Sequence, residues 1–144
     1  MQIPPSPDPY HLQRFVDAQR GVYDQAVREL RAGRKQSHWI WFIFPQIRGL
    51  GSSAMAQQYA IASRDEANAY LNHPVLGPRL RECTRLVTAI GGRSIEEIFG
   101  YPDNLKFHSS MTLFAHAANG DPIFQDALNQ YFRAEFDLPT IERL

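Results

Sequence analysis

The segment Ser37-His38-Trp39-Ile40-Trp41-Phe42-Ile43-Phe44-Pro45 is the densest apolar run of the chain, and no other run resembles a partner for it. Its pattern fits a strand or a short buried helix equally well. A strand shares its backbone hydrogen bonds with a neighbour, and a lone one leaves them unsatisfied in the interior. With no second strand of comparable strength, the segment reads as a short buried helix ended by Pro45. That inference removes sheet-based architectures and points to an all-α fold.

The periodicity elsewhere agrees. Residues 1–9 hold four prolines and read as an extended, mobile lead-in. From Tyr10 the apolar spacing becomes helical, first through Gln19, then through Val22, Ala26 and Leu30 to a stop at Gly33. Gly49–Ser53 is a loop whose serines cap a helix reaching Tyr59. Ser63 with Glu66 and Ser94 with Glu97 are two capping boxes. Between them Leu76, Leu80, Cys83, Val87 and Ile90 step by four, three, four and three, with Gly91-Gly92 as the stop. Pro102-Asp103 opens a helix to about Ala117, Asn119–Pro122 is a turn, and a last long helix carries Phe124 to Phe132 before Pro139 interrupts the tail. The expectation is one compact all-α domain over residues 10–144, with seven or eight short-to-medium helices joined by short connections.

Composition narrows the function. The 15 basic and 15 acidic residues cancel, so no whole-molecule field recruits nucleic acid, and the thirteen arginines are dispersed as on solvated helix faces. No stretch of about 20 apolar residues occurs, which argues against a membrane span. No signal segment opens the chain, so a cytoplasmic protein is expected. A single cysteine, Cys83, excludes a disulfide framework; on the apolar line of its helix it reads as a core residue. The five histidines show no HxxxH or HExxH spacing, so no metal site is expected, and GLGSS lacks the lysine of a P-loop. No cofactor is expected.

Two blocks concentrate the residues that could carry chemistry. In the first, Lys35, His38 and Gln46 are interleaved with Trp39, Trp41 and Phe44. An aromatic wall beside a few oriented polar groups suits a small-ligand pocket, and the same aromatics suit a packed core. His38 is a candidate general base, or a cap beside Ser37. In the second block Ser109 and Thr112 share a helical stripe, and Asp103, Lys106 and Ser110 share the next one. Lys106 could hold an anionic group or pair with Asp103 one turn earlier.

At these blocks the sequence resembles the DUF1810 family, a domain of unknown function. GRKQSHWIWFIFPQIRGLG, YAIASRDEANAYLNHPVLGPRLREC and IFGYPDNLKFHSSMTLF carry the resemblance, which runs from about His11 to Leu144. It implies a compact all-helical domain and no assigned activity. At His108 the family pattern more often has arginine, which favours a basic, anion-facing role at that position over imidazole chemistry.

The expected function is binding of a small anionic or nucleotide-like ligand. Its site draws on Lys35, His38, Trp39, Trp41, Phe44, Gln46, Asp103, Lys106, Ser109, Ser110 and Thr112. Hydrolysis or group transfer with His38 as base is a further expectation. The alternative is a non-catalytic module that binds a protein partner.

Overall fold

The computed structural model describes residues 7–117 and 121–144. The lead-in expected over residues 1–9 falls among them only at Pro7–Pro9, and Asn119 and Gly120 of the expected turn lie outside them. Ten helices occur among the described residues: α1 (Gln13–Gln19), α2 (Tyr23–Arg31), α3 (Ile40–Ile43), α4 (Ala54–Gln58), α5 (Arg64–Asn72), α6 (Leu76–Thr88), α7 (Ile95–Phe99), α8 (Asp103–Ala117), α9 (Ile123–Phe132) and α10 (Leu138–Ile141). The count exceeds seven or eight because single turns form helices of their own. α10 is one of these. Proline in a first turn gives up no intrahelical hydrogen bond, so Pro139 begins a helix where an interruption is expected.

The apolar run becomes α3, with Ile40, Ile43 and Phe44 buried and the helix ended before Pro45. The only strand-like pairing among the described residues is an isolated parallel bridge between Ile47 and Ile61. Arg48 N donates to Ile61 O at 2.8 Å and Ile61 N to Gln46 O at 2.8 Å, so the loops after α3 and α4 run side by side.

α8 is the central element. Phe107, Ser110, Met111, Leu113, Phe114 and Ala117 are buried on several of its sides, and a helix apolar nearly all round needs neighbours all round. α3, α5, α7, α9 and α10 supply them. The core is rich in aromatic pairs: Phe99 stacks on Phe107 at 4.7 Å and Phe44 meets Phe107 edge-on at 5.0 Å. No helix among the described residues is long and apolar enough to cross a membrane.

The two expected capping boxes diverge. At α7 Ser94 Oγ accepts from Glu97 N and Glu97 returns to Ser94 N at 2.9 Å, completing the box. At α5 Ser63 caps Glu66 N, but the Glu66 carboxylate turns away to Ala62 N at 3.0 Å and to Arg14 at 3.0 Å.

Candidate functional site

The aromatic block takes its shape from Glu29, a residue of α2. Its buried carboxylate accepts hydrogen bonds from Gln36 N (2.7 Å), Ser37 N (2.9 Å), Ser37 Oγ (2.7 Å) and Trp39 Nε1 (2.9 Å). Burial pushes its pKa up, yet the Ser37, Gln36 and Trp39 donors outweigh burial and hold it down to about 2. The folded state therefore binds fewer protons than the unfolded chain, whose Glu29 titrates near 4.5. Its stabilising contribution is complete above that value and disappears as pH falls toward 2. Glu29→Gln is expected to cost about 2 kcal/mol at pH 7. In urea melts, the gap between wild type and variant should narrow steadily between pH 5 and pH 3.

Held by Glu29, Trp39 lies in the core against Phe44 and Phe99. The chain before it is tied to α7 through Lys35 N and Ile98 O at 2.7 Å. This directs the Lys35 side chain inward, and only 5% of it is exposed. Lys35 Nζ donates to the Ser37 carbonyl, lies 5.1 Å from the Trp39 ring centroid, and pairs with Asp103 Oδ2 at 2.7 Å. A buried ammonium needs such partners to remain charged.

Asp103, the first residue of α8, has a second ammonium on its other oxygen. Lys106 Nζ is 3.4 Å from Asp103 Oδ1 and 5.0 Å from the Trp41 ring centroid. Lys35 and Lys106 are the only lysines in a chain with thirteen arginines, and both converge on one carboxylate. The cluster carries one net positive charge. Lys35 is held by short contacts, whereas Lys106 is longer in its pairing and 25% exposed.

Three buried side-chain polar atoms among the described residues lack a partner: Trp41 Nε1, Ser110 Oγ and Asn104 Oδ1. All belong to the two blocks. Trp41 lies beneath Lys106, Ser110 is one helical turn from Lys106, and Asn104 adjoins Asp103 in α8. Orphaned buried polar groups are uncommon in folded proteins, which sets these three apart from the polar groups around them.

A cavity of about 390 Å³ opens beside Lys35, between the chain entering α3 and α7. It is lined by Arg34, Lys35, Arg93, Glu96, Glu97, Phe99 and Gly100. Volumes of this order suit small ligands.

The other expected site residues lie elsewhere. Phe44, like Trp39, is core. Ser109 and Thr112 serve the C-terminal segment: Ser109 Oγ donates to Asp137 Oδ2 at 2.8 Å, and Thr112 Oγ1 accepts from Asp137 N at 2.9 Å. Their stripe of α8 differs from that of Asp103, Lys106 and Ser110, so the hydroxyls do not form one wall. Gln46 contributes its backbone to the Ile61 bridge. His38 is exposed. His108 stacks flat on Phe132 at 4.0 Å with its Nε2 2.8 Å from Glu135 O, which makes it a support for the chain after α9. Cys83 is buried, and burial pushes its thiol up to about 12, as suits an inert core residue.

Sequence reasoning missed Glu29, Arg93, Glu96 and Asn104. For Glu29 one signal existed: it lies on the buried side of α2 beside Ala26 and Leu30. The others depend on how α7 meets the α2–α3 connection, which no local pattern reveals.

The family described as a protein of unknown function (DUF1810) matches residues 9–144. The chain belongs to the DUF1810 family. A solved crystal structure, that of the conserved hypothetical protein Rv1873 from Mycobacterium tuberculosis, is 57% identical. The match covers 95% of this chain and 98% of that one, with a TM-score of 0.94. None of the curated proteins matches the chain. For this DUF1810 protein, function is therefore argued from the site.

Proposed function

We propose that the protein binds a small ligand carrying an anionic group, a nucleotide being the favoured form, at the junction of Lys35, Asp103, Lys106 and Trp41. The observation that carries this reading is the convergence of both lysines on one carboxylate beside the unpaired indole N–H of Trp41. An indole N–H can only donate, and an ammonium offers three donors. Donors exceed acceptors in this cluster, and a phosphate or carboxylate redresses that excess. Trp41 adds an aromatic surface, and of the four residues Lys35 also lines the cavity beside α7. Binding is proposed without catalysis, since no described side chain orients the exposed ring of His38.

The test is a thermal-shift titration with adenosine 5′-monophosphate (AMP) and with inorganic phosphate. At a hundred times Kd a ligand of the folded state stabilises by about 2.7 kcal/mol, a rise in Tm of roughly 8 °C for a domain of this size. Lys106→Ala is expected to leave the fold intact, because its side chain is partly exposed, and to weaken AMP at least tenfold. No shift with either compound would remove the reading.

A second reading has an observation of its own. His116, Ala134, Phe136, Leu138 and Ile141 border an apolar recess of about 500 Å³, and Leu138 is largely exposed. Such a surface suits a protein partner. Concentration-dependent light scattering that Leu138→Glu abolishes would favour it.

A further inference from the structure

The cavity beside Lys35 carries charges of both signs that do not neutralise one another. Its lining includes Arg34 and Arg93 as well as Glu96 and Glu97. Among the described residues no ion pair joins either arginine to either glutamate. Lys35, the third cation of the lining, is already committed to Asp103 and to the Ser37 carbonyl.

Arg93 stands three and four residues before Glu96 and Glu97, a spacing at which opposite charges on a helix pair readily. Here local structure holds each charge elsewhere. Arg93 precedes Ser94, the N-cap of α7, and its Nη1 donates to Gly33 O at 3.3 Å. The Glu97 carboxylate accepts from Ser94 N at 2.9 Å. Glu96 has only the Asn104 amide, at 3.5 Å. The two arginines therefore gather at the end of α2, around Gly33, while both carboxylates belong to the first turn of α7. Backbone bonds fix these parts to each other: Arg34 N donates to Glu29 O at 3.0 Å and Lys35 N to Ile98 O at 2.7 Å. The separation of charge is thus built before any ligand arrives, which lowers the cost of binding one that matches it.

We infer that this cavity binds a small zwitterion of the amino-acid class, its carboxylate on Arg34 and Arg93 and its ammonium on Glu96 and Glu97. A simple anion is repelled by the two carboxylates, and a simple cation by the two arginines. A molecule that carries both charges pairs with each set. The inference stands apart from the anion site at Lys106 and Trp41, neither of which lines this cavity.

The test is an NMR titration of the full chain with glycine, 4-aminobutanoate and 6-aminohexanoate. Each is compared with the carboxylate and the amine of the same carbon chain. The backbone amides of Arg34 and Gly100 report from two sides of the lining. At least one zwitterion is expected to shift both amides and to bind at least fivefold more tightly than either of its single-charge analogues. Arg34→Ala and Glu96→Gln alter exposed side chains, and melting curves check that both variants fold. In Arg34→Ala the advantage over the amine should fall below twofold. In Glu96→Gln the advantage over the carboxylate should do the same.

Zwitterions that leave both amides unmoved, or that bind no better than their single-charge analogues, would overturn the inference. A preference that survives both substitutions would overturn the assignment to these residues.

Discussion

Gly77→Ala is expected to destabilise the protein by about 3 kcal/mol or more, the upper range for forcing an extra methyl into a packed interior. Gly77 is buried in the first turn of α6, where the chain doubles back from α5. A Cβ there would stand 2.1 Å from the carbonyl oxygen of Leu71 and 2.9 Å from its carbon. Both are backbone atoms, so no side-chain rotation relieves the clash. The Leu71 carbonyl also accepts from Arg81 Nη1 at 3.1 Å, an atom 3.0 Å from the added Cβ, and the Arg81 guanidinium is fixed in turn by Asp121 at 2.7 Å. The α5–α6 corner must therefore open for alanine to fit. Urea denaturation measures the loss directly. A variant within 0.5 kcal/mol of wild type would show that the corner is looser than this packing indicates.

Arg14→Ala is expected to cost about 3–5 kcal/mol, the range for removing one partner of a buried ion pair. Its guanidinium donates to Tyr10 O (2.7 Å), His11 O (2.9 Å), Gln58 O (3.0 Å), Ala60 O (2.8 Å) and Glu66 Oε2 (3.0 Å). The side chain of Glu66 is only 4% exposed. One residue of α1 therefore joins the chain before α1, the end of α4 and the start of α5. Alanine takes a donor from four carbonyls and leaves the buried Glu66 carboxylate with Ala62 N but no cation. Lysine restores the charge but not the planar fork, so Arg14→Lys should recover less than half of the loss. Arg14→Ala paired with Glu66→Gln should cost less than the two single losses combined, because they share one interaction. Additive losses in that double-mutant cycle would contradict the account.

These two residues show why part of the fold was legible in sequence and part was not. Ser94 and Glu97 lie three apart and complete each other locally, so their pattern suffices. The helical reading of the apolar run held because it rested on a global argument, the want of a partner strand. Arg14 resembled any other dispersed arginine. Its partners Gln58 and Ala60 lie 44 and 46 residues away, and nothing near position 14 announces them. The same long-range pull turned Glu66 away from the second capping box. Gly77 is marked only by its lack of a side chain, and the reason for that lies in α5.

The candidate site divides in the same way. Helical spacing put Asp103, Lys106 and Ser110 on one stripe, and the structure brings that stripe to Lys35 and Trp41. Spacing alone could not show that the neighbouring stripe, with Ser109 and Thr112, faces the C-terminal segment instead. Nor could it show that Trp39 donates its indole proton to a carboxylate of α2 while Trp41 keeps an unpaired one.

That last difference allows the central claim to be tested with two signals. The chain has two tryptophans and so two indole N–H resonances in a nitrogen–proton correlation spectrum. Titration with AMP is expected to move the Trp41 resonance as its proton gains an acceptor, and to leave that of Trp39, already bonded to Glu29, in place. The movement should vanish in Lys106→Ala. Two indole resonances that stay fixed throughout the titration, or movement of Trp39 alone, would contradict the account.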